Sequence, residues 1–136
     1  MLDNTDLHIL DELSKNSRIT MKELGEKVHL TGPATSARVA KLEENGIIEG
    51  YTIKTNQAKL GYSIHAMISI ITNSPYHEPY LTYLNAQKEY VINNYKISGD
   101  SCYLLECKFP STQVLDEFLV GLSSNVNYKL SIIINK

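Results

Sequence analysis

The apolar positions change their period once along the chain, just after Gly46. Before it they recur every three or four residues, as on the buried side of a helix; after it, stretches of strict alternation separate two further helical runs. Leu7, Ile9, Leu10 and Leu13 predict a helix over 3–16, with Asp3 and Asp6 at the end where the helix dipole favours acids. A second helix starts near Thr20. Thr20 and Glu23 have the spacing of a capping box, and Leu24 and Val28 form the inner stripe. His29-Leu30-Thr31 is a short connection. Thr31 is a good N-cap, and Pro33 falls in a first turn, where a missing N–H costs nothing. The third helix then runs to about Glu44 with Val39 and Leu42 inward, and Asn45-Gly46 ends it as a left-handed cap.

Residues 47–53 read as a short β-wing, and 56–61 as a polar connector. The remainder reads as βαββαβ: strand 62–72, helix 75–87 with Tyr80, Leu81 and Leu84 as its stripe, strand 90–98, a Gly99-Asp100 turn, strand 101–109, a helix capped by Ser111, and strand 127–134. The last helix buries Val114, Leu115, Phe118, Leu119 and Leu122. The fold class is therefore α+β: a winged helix-turn-helix domain over 1–61, and a ferredoxin-like βαββαβ domain over 62–136.

The first strand of the second domain carries Ile64, Ala66, Ile68 and Ile70 on one face, and Met67 and Ile71 beside His65 and Ser69 on the other. Two helices cover one face of such a sheet. A partly apolar second face implies another surface against it, most simply a second copy of the chain, so a homodimer is expected.

Helices at 20–29 and 31–44 joined by a tight turn have helix-turn-helix geometry. Gly25 lies where the two must approach closely. The third helix presents Ala34, Thr35, Ser36, Arg38 and Lys41 outward, and its first residues are expected to reach base edges in the major groove of double-stranded DNA. Thr35 and Ser36 suit hydrogen bonds to bases, Ala34 a thymine methyl, and Arg38 a guanine or a phosphate. Lys22 and Lys41 suit phosphate oxygens, as do the backbone N–H groups that follow Thr31, from Gly32 onward.

Composition adjusts this picture at three points. The net charge is -2 over 136 residues, so any affinity for DNA rests on local charge placement. No apolar run suits a membrane span and the acidic N-terminus lacks a basic leader, so a cytoplasmic protein is expected. Cys102 and Cys107, on one strand at odd spacing, face opposite ways; neither a disulfide nor a zinc site is expected. No Ser/His/Asp set, phosphate loop or metal spacing marks an enzyme, and His8, His29, His65 and His77 are scattered; no catalytic residue, metal or cofactor is expected.

The series Asp6…Ile9-Leu10…Leu13…Ser17-Arg18-Ile19-Thr20…Glu23-Leu24-Gly25…Val28…Leu30-Thr31…Arg38-Val39…Leu42-Glu43…Gly46-Ile47-Ile48…Gly50-Tyr51…Leu60-Gly61 resembles the N-terminal signature of the Lrp/AsnC, or feast/famine, transcription regulators. The βαββαβ half is similar to their sensing and assembly domain, so the resemblance covers essentially the whole chain. It implies homodimers joined through the C-terminal sheets and higher assemblies, commonly octamers. It also implies pseudo-palindromic, often A·T-rich DNA sites and an amino-acid effector held between C-terminal domains. Several DNA-binding heads acting together raise avidity despite a weak net charge.

Three positions depart from the family pattern. Thr35 replaces an apolar residue. His29 replaces a glycine, as a phosphate contact or a plain turn residue. In the sensing loop, Gly99-Asp100-Ser101-Cys102-Tyr103, Cys102 stands where the family has an acid, and a thiol does not hold an ammonium group as a carboxylate does. A weak or absent amino-acid response, or a different effector, is expected. Two other functions compete: an architectural DNA-bending protein without effector, and a haem-pathway decarboxylase of similar fold, for which His65 and His77 are the candidate pocket histidines.

Overall fold

The computed structural model describes all 136 residues, and they form two compact units, Met1–Lys54 and Thr55–Lys136. The break falls ahead of the connector, whose turns at 56–61 belong to the second unit: the N–H groups of Leu60 and Tyr62 bond the carbonyl of Gln57.

The first unit holds α1 (Asn4–Lys15), α2 (Met21–Val28) and α3 (Gly32–Glu44). Each starts at a side chain that satisfies a backbone N–H the helix leaves free. Asp3 and Asp6 form a reciprocal capping box on α1, each carboxylate accepting the other's N–H, at 2.8 and 3.2 Å. Thr20 accepts the N–H of Glu23 at 3.1 Å, but the expected box is only half formed, because the Glu23 carboxylate accepts a hydrogen bond from the Thr20 hydroxyl and not from its backbone N–H. Thr31 accepts from the N–H of Ala34, and Gly46, at φ +72, follows α3.

Ile9, Leu13, Ile19, Leu24, Val28, Val39 and Leu42 make the core of this unit. Leu7, grouped with the buried side from the sequence, is 53% exposed: the buried line of α1 runs through Ile9 and Leu13, one turn apart, and Leu7 lies on the far side of the helix from it. The expected β-wing is absent. Ile47 and Ile48 turn back to bond the carbonyl of Leu42, and residues 49–55 make no backbone hydrogen bond. Their strand-like composition has no second strand to form a ladder with.

The second unit has the expected order: β1 (Ile64–Ile71), α4 (Glu78–Ala86), β2 (Val91–Lys96), β3 (Tyr103–Phe109), α5 (Thr112–Ser123) and β4 (Asn127–Ile132). The strands are antiparallel in the order β2-β3-β1-β4, which is the split βαβ topology. Ala66, Ile68 and Ile70 face Cys107, Leu105 and Tyr103 across the β1–β3 ladder, and this side packs against Tyr80 and Leu84 of α4 and Leu115, Phe118 and Leu122 of α5. Leu81, expected in the stripe of α4, is 39% exposed. Tyr83 takes the third inward place, its hydroxyl donating to the carbonyl of Phe118 at 2.7 Å. Gly121 makes that approach possible, since a Cβ there would lie 2.5 Å from the Tyr83 hydroxyl oxygen.

The opposite sheet face carries no helix. Met67, Ile71 and Leu104 are half-buried on it around a polar centre: His65 Nε2 lies 2.6 Å from Glu106 Oε2, and Asn93 Nδ2 donates to Glu106 Oε1 at 2.9 Å. The Asn93 and His65 contacts hold the Glu106 carboxyl below its usual range.

The two cysteines are free, and only Cys107 is in a strand; Cys102 precedes β3, so opposite strand faces do not explain their separation. Cys107 lies in the core, and burial pushes its thiol up to about 12.

Candidate nucleic-acid interface

The close packing of α2 on α3 decides which side of α3 is free. A Cβ at Gly25 would stand 2.5 Å from the carbonyl oxygen of Leu30 and 2.9 Å from Thr35 Oγ1, so only glycine permits the approach, as its place in α2 beside the third helix suggests. Directly opposite sits Thr35. It is completely buried, its hydroxyl donating to the carbonyl of Thr31 at 2.8 Å. The expectation that Thr35 reads a base is therefore wrong. It occupies an inward position of α3 one turn before Val39, which is why the family places an apolar residue there; the hydroxyl is satisfied within its own helix.

Arg38 has partners that the sequence did not suggest. Its Nη1 lies 2.8 and 2.7 Å from the two carboxylate oxygens of Asp3 and 3.2 Å from Asp6 Oδ1. Position 38 lies at the border between the buried line of Thr35, Val39 and Leu42 and the exposed side, so its long side chain reaches back to the start of α1. The guanidinium holds the Asp3 carboxyl below its usual range, chiefly through the Arg38 hydrogen bond and then through the Asp6 N–H. Arg38 is engaged within the unit and does not project freely.

Ala34, Ser36 and Lys41 are exposed, as expected, and Ala37 and Ala40 share that side. The helical period already groups residues 34, 37 and 41; Ala37 was overlooked because it offers no polar group. Lys22 is exposed near the start of α2, and its Cα would be 3.9 Å from a Cβ on Gly32, so the beginnings of α2 and α3 are neighbours. Lys22, Gly32 and the Thr31 cap thus gather at one place. His29, at the end of α2, has φ 61 and is exposed. Its left-handed backbone accounts for the glycine usual there and makes it a turn residue.

In the second unit the 99–103 loop divides. Gly99, at φ +108, makes the turn, and Asp100 stands exposed on it with Ser101 beside it. Cys102 and Tyr103 turn inward to a polar cluster: Cys102 Sγ lies 3.4 Å from Thr72 Oγ1, Thr72 Oγ1 lies 3.1 Å from His77 Nε2, and His77 Nδ1 lies 3.0 Å from the Tyr103 hydroxyl. The Thr72 hydroxyl, then its N–H, and the charge of Lys96 lower the Cys102 thiol's pKa. Thr72 and His77 were not tied to this loop by the sequence, because the link is made by β1 pairing with β3, where Ile70 faces Tyr103 and the N–H of Cys102 bonds the carbonyl of Ile70. No group of three or more His, Cys, Asp or Glu is placed to hold a metal ion, and no helix is long and apolar enough to cross a membrane.

Three capped helices locked through Gly25, with the outer side of the third left open, define a DNA-binding protein of the helix-turn-helix class. Residues 2–49 match the winged helix-turn-helix DNA-binding family. The chain is 62% identical to the HTH-type transcriptional regulator LrpA of Bacillus subtilis (strain 168) over 136 residues, covering 100% of both. Its structure is similar to that of B. subtilis LrpC, with TM-score 0.92, 31% identity, and coverage of 100% of this chain and 96% of that one. It is also similar to a feast or famine regulatory protein from M. tuberculosis complexed with L-methionine, with TM-score 0.88, 26% identity, and coverage of 100% and 94%. This chain belongs to the Lrp/AsnC family of transcription regulators. Its curated relatives are named as regulators, not enzymes, which sets the decarboxylase reading aside.

Proposed function

We propose that this regulator reads double-stranded DNA with the outer side of α3. The carrying observation is that this side, unlike the rest of the helix, is exposed and free of partners within its unit: Ala34, Ser36 and Ala37 form a small-residue surface that fits close to base edges, and Lys41 borders it. Lys22, the Thr31 cap and the N–H groups from Gly32 onward suit a backbone phosphate. Thr35 acts beneath the surface, fixing the seat of α3.

The open sheet face supports a homodimer. Met67, Ile71 and Leu104 around the His65–Glu106 pair give it the mixed character of a self-association surface. A dimer presents two copies of α3 to a pseudo-palindromic site, and assembly to an octamer multiplies them. The 99–103 loop, with Thr72 and His77 behind it, is the proposed contact for a small effector such as an amino acid; an L-methionine complex in a structural relative supports this. Because Cys102 replaces the acid, the response to amino acids is weak. The setting is cytoplasmic.

A gel-shift titration on the DNA upstream of the protein's own gene, at two salt concentrations and with unrelated competitor DNA, tests this reading. Ser36→Ala is expected to reduce preference for that DNA over competitor. Lys41→Gln is expected to weaken binding to both, with the salt slope reduced by about one. Equal affinity for target and competitor in the unsubstituted protein would favour an architectural role. Unchanged behaviour of both variants would remove α3 from the interface.

A further inference from the structure

We infer that Asp3 and Asp6 act as an internal counter-charge that restrains DNA binding by withholding Arg38 from the phosphate backbone. This inference rests on the reading of α3 as the DNA-facing helix.

The geometry is specific. Arg38 is one turn beyond Ala34 and three residues before Lys41, so it borders the proposed DNA-facing side. All three contacts to the acids are made by one nitrogen, Nη1. A guanidinium has five N–H donors in a planar fork, so Nε and Nη2 keep their donors with no carboxylate upon them. The side chain is 35% exposed, and Asp3 is 55% exposed. The acids and Arg38 border an open 490 Å³ cavity together with Lys41 and Asn45. The clamp is therefore at the surface, where an ion pair is weak and exchangeable. A phosphate reaching this cavity meets Lys41 and the unused donors of Arg38, but also the negative charge of Asp3. Two acids facing one guanidinium leave the Asp3–Asp6–Arg38 group with a net negative charge beside a surface meant for a polyanion. The arrangement holds down affinity for DNA of any sequence and leaves base contacts to decide the site.

Asp3→Asn isolates the effect, because asparagine caps a helix as well as aspartate does and the fold is retained. Fluorescence anisotropy with a labelled non-specific duplex would be recorded for the full chain at several salt concentrations, with thermal unfolding as the check on folding. Asp3→Asn is expected to tighten binding about fivefold at low salt and to steepen the salt dependence by up to one unit, as one more cation meets phosphate. In Asp3→Asn/Arg38→Gln the gain is expected to disappear. A gain that survives in the double variant would mean that the acid merely repels DNA and that Arg38 is not withheld, which overturns the inference. So would unchanged or weaker binding by a folded Asp3→Asn protein. Lys41→Gln serves as the control: if it too leaves affinity unchanged, the fault lies in the placement of the interface on α3.

Discussion

The two units solve the same packing problem and leave opposite surfaces behind. Three helices in the first unit bury one stripe each, and the exposed side of α3 is small-residued and bordered by cations. A sheet in the second unit has two faces, and its helices cover one; the other keeps Met67, Ile71 and Leu104 around the His65–Glu106 contact. A helix can turn all its apolar groups one way, whereas a strand shows alternate residues on both sides. A half-apolar strand therefore has side chains left over once one face is covered. The free side of α3 suits a polyanion, and the mixed, uncovered sheet face of the second unit suits another protein surface. The proposed division of labour between DNA and assembly follows from the geometry of helix and strand.

Substitutions confined to one unit break this comparison most directly. Phe109→Ala empties the centre of the second core, where Phe109 is fully buried between Tyr90 and Phe118. A loss of about 3–5 kcal/mol is expected in chemical unfolding. If the two units fold separately, the helical unit keeps its own transition. Gly25→Ala does the converse. The new methyl meets backbone, which cannot swing aside, so about 1–3 kcal/mol is lost from the first unit and DNA binding falls with it, while light scattering reports an unchanged oligomer.

Thr35→Val sharpens the distinction between seat and surface. It removes one buried hydroxyl and its hydrogen bond at nearly constant shape, at a cost of about 1 kcal/mol in thermal unfolding. Relative affinities across a panel of base-substituted DNA sites are expected to stay the same, and a changed ranking would restore Thr35 as a base contact.

The smallest effect concerns acid. The Asp3 carboxyl is held below its usual range by Arg38, so its ionised form is favoured in the folded state. The stabilisation is complete above the usual carboxylate range and is lost as pH falls through the lowered value. An NMR titration of Asp3 is expected to show a depressed midpoint that returns toward normal in Arg38→Gln. A midpoint unmoved by that substitution would assign the depression to the helix cap alone.

Much of this protein was legible along the chain, because capping and periodicity are local. Thr20, Thr31 and Ser111 cap the helices they precede, and the alternation over Ile64–Ile71 gave the correct covered face. Where a signal depended on a distant partner, the reading failed. Residues 47–53 have strand composition but no strand to pair with. Leu7 and Leu81 match a helical stripe whose true centre is set by the neighbouring helix or sheet. Thr35 and Arg38 looked alike as polar residues on a recognition helix; one is sealed beneath Gly25 and the other tied to residues thirty-five and thirty-two positions earlier.

The sequence by itself thus determined the family and, by steric and hydrogen-bonding rules within a few residues, the five helices and four strands, their order and the glycine at the helix crossing. Only the tertiary structure decided which polar side chains are free to act. That choice depends on what lies across a helix or a sheet: the Asp3–Asp6 pair beside Arg38, Thr72 and His77 behind Cys102, and Glu106 against His65. Such partners are brought together by the packing of the whole unit, and no local pattern along the chain records them.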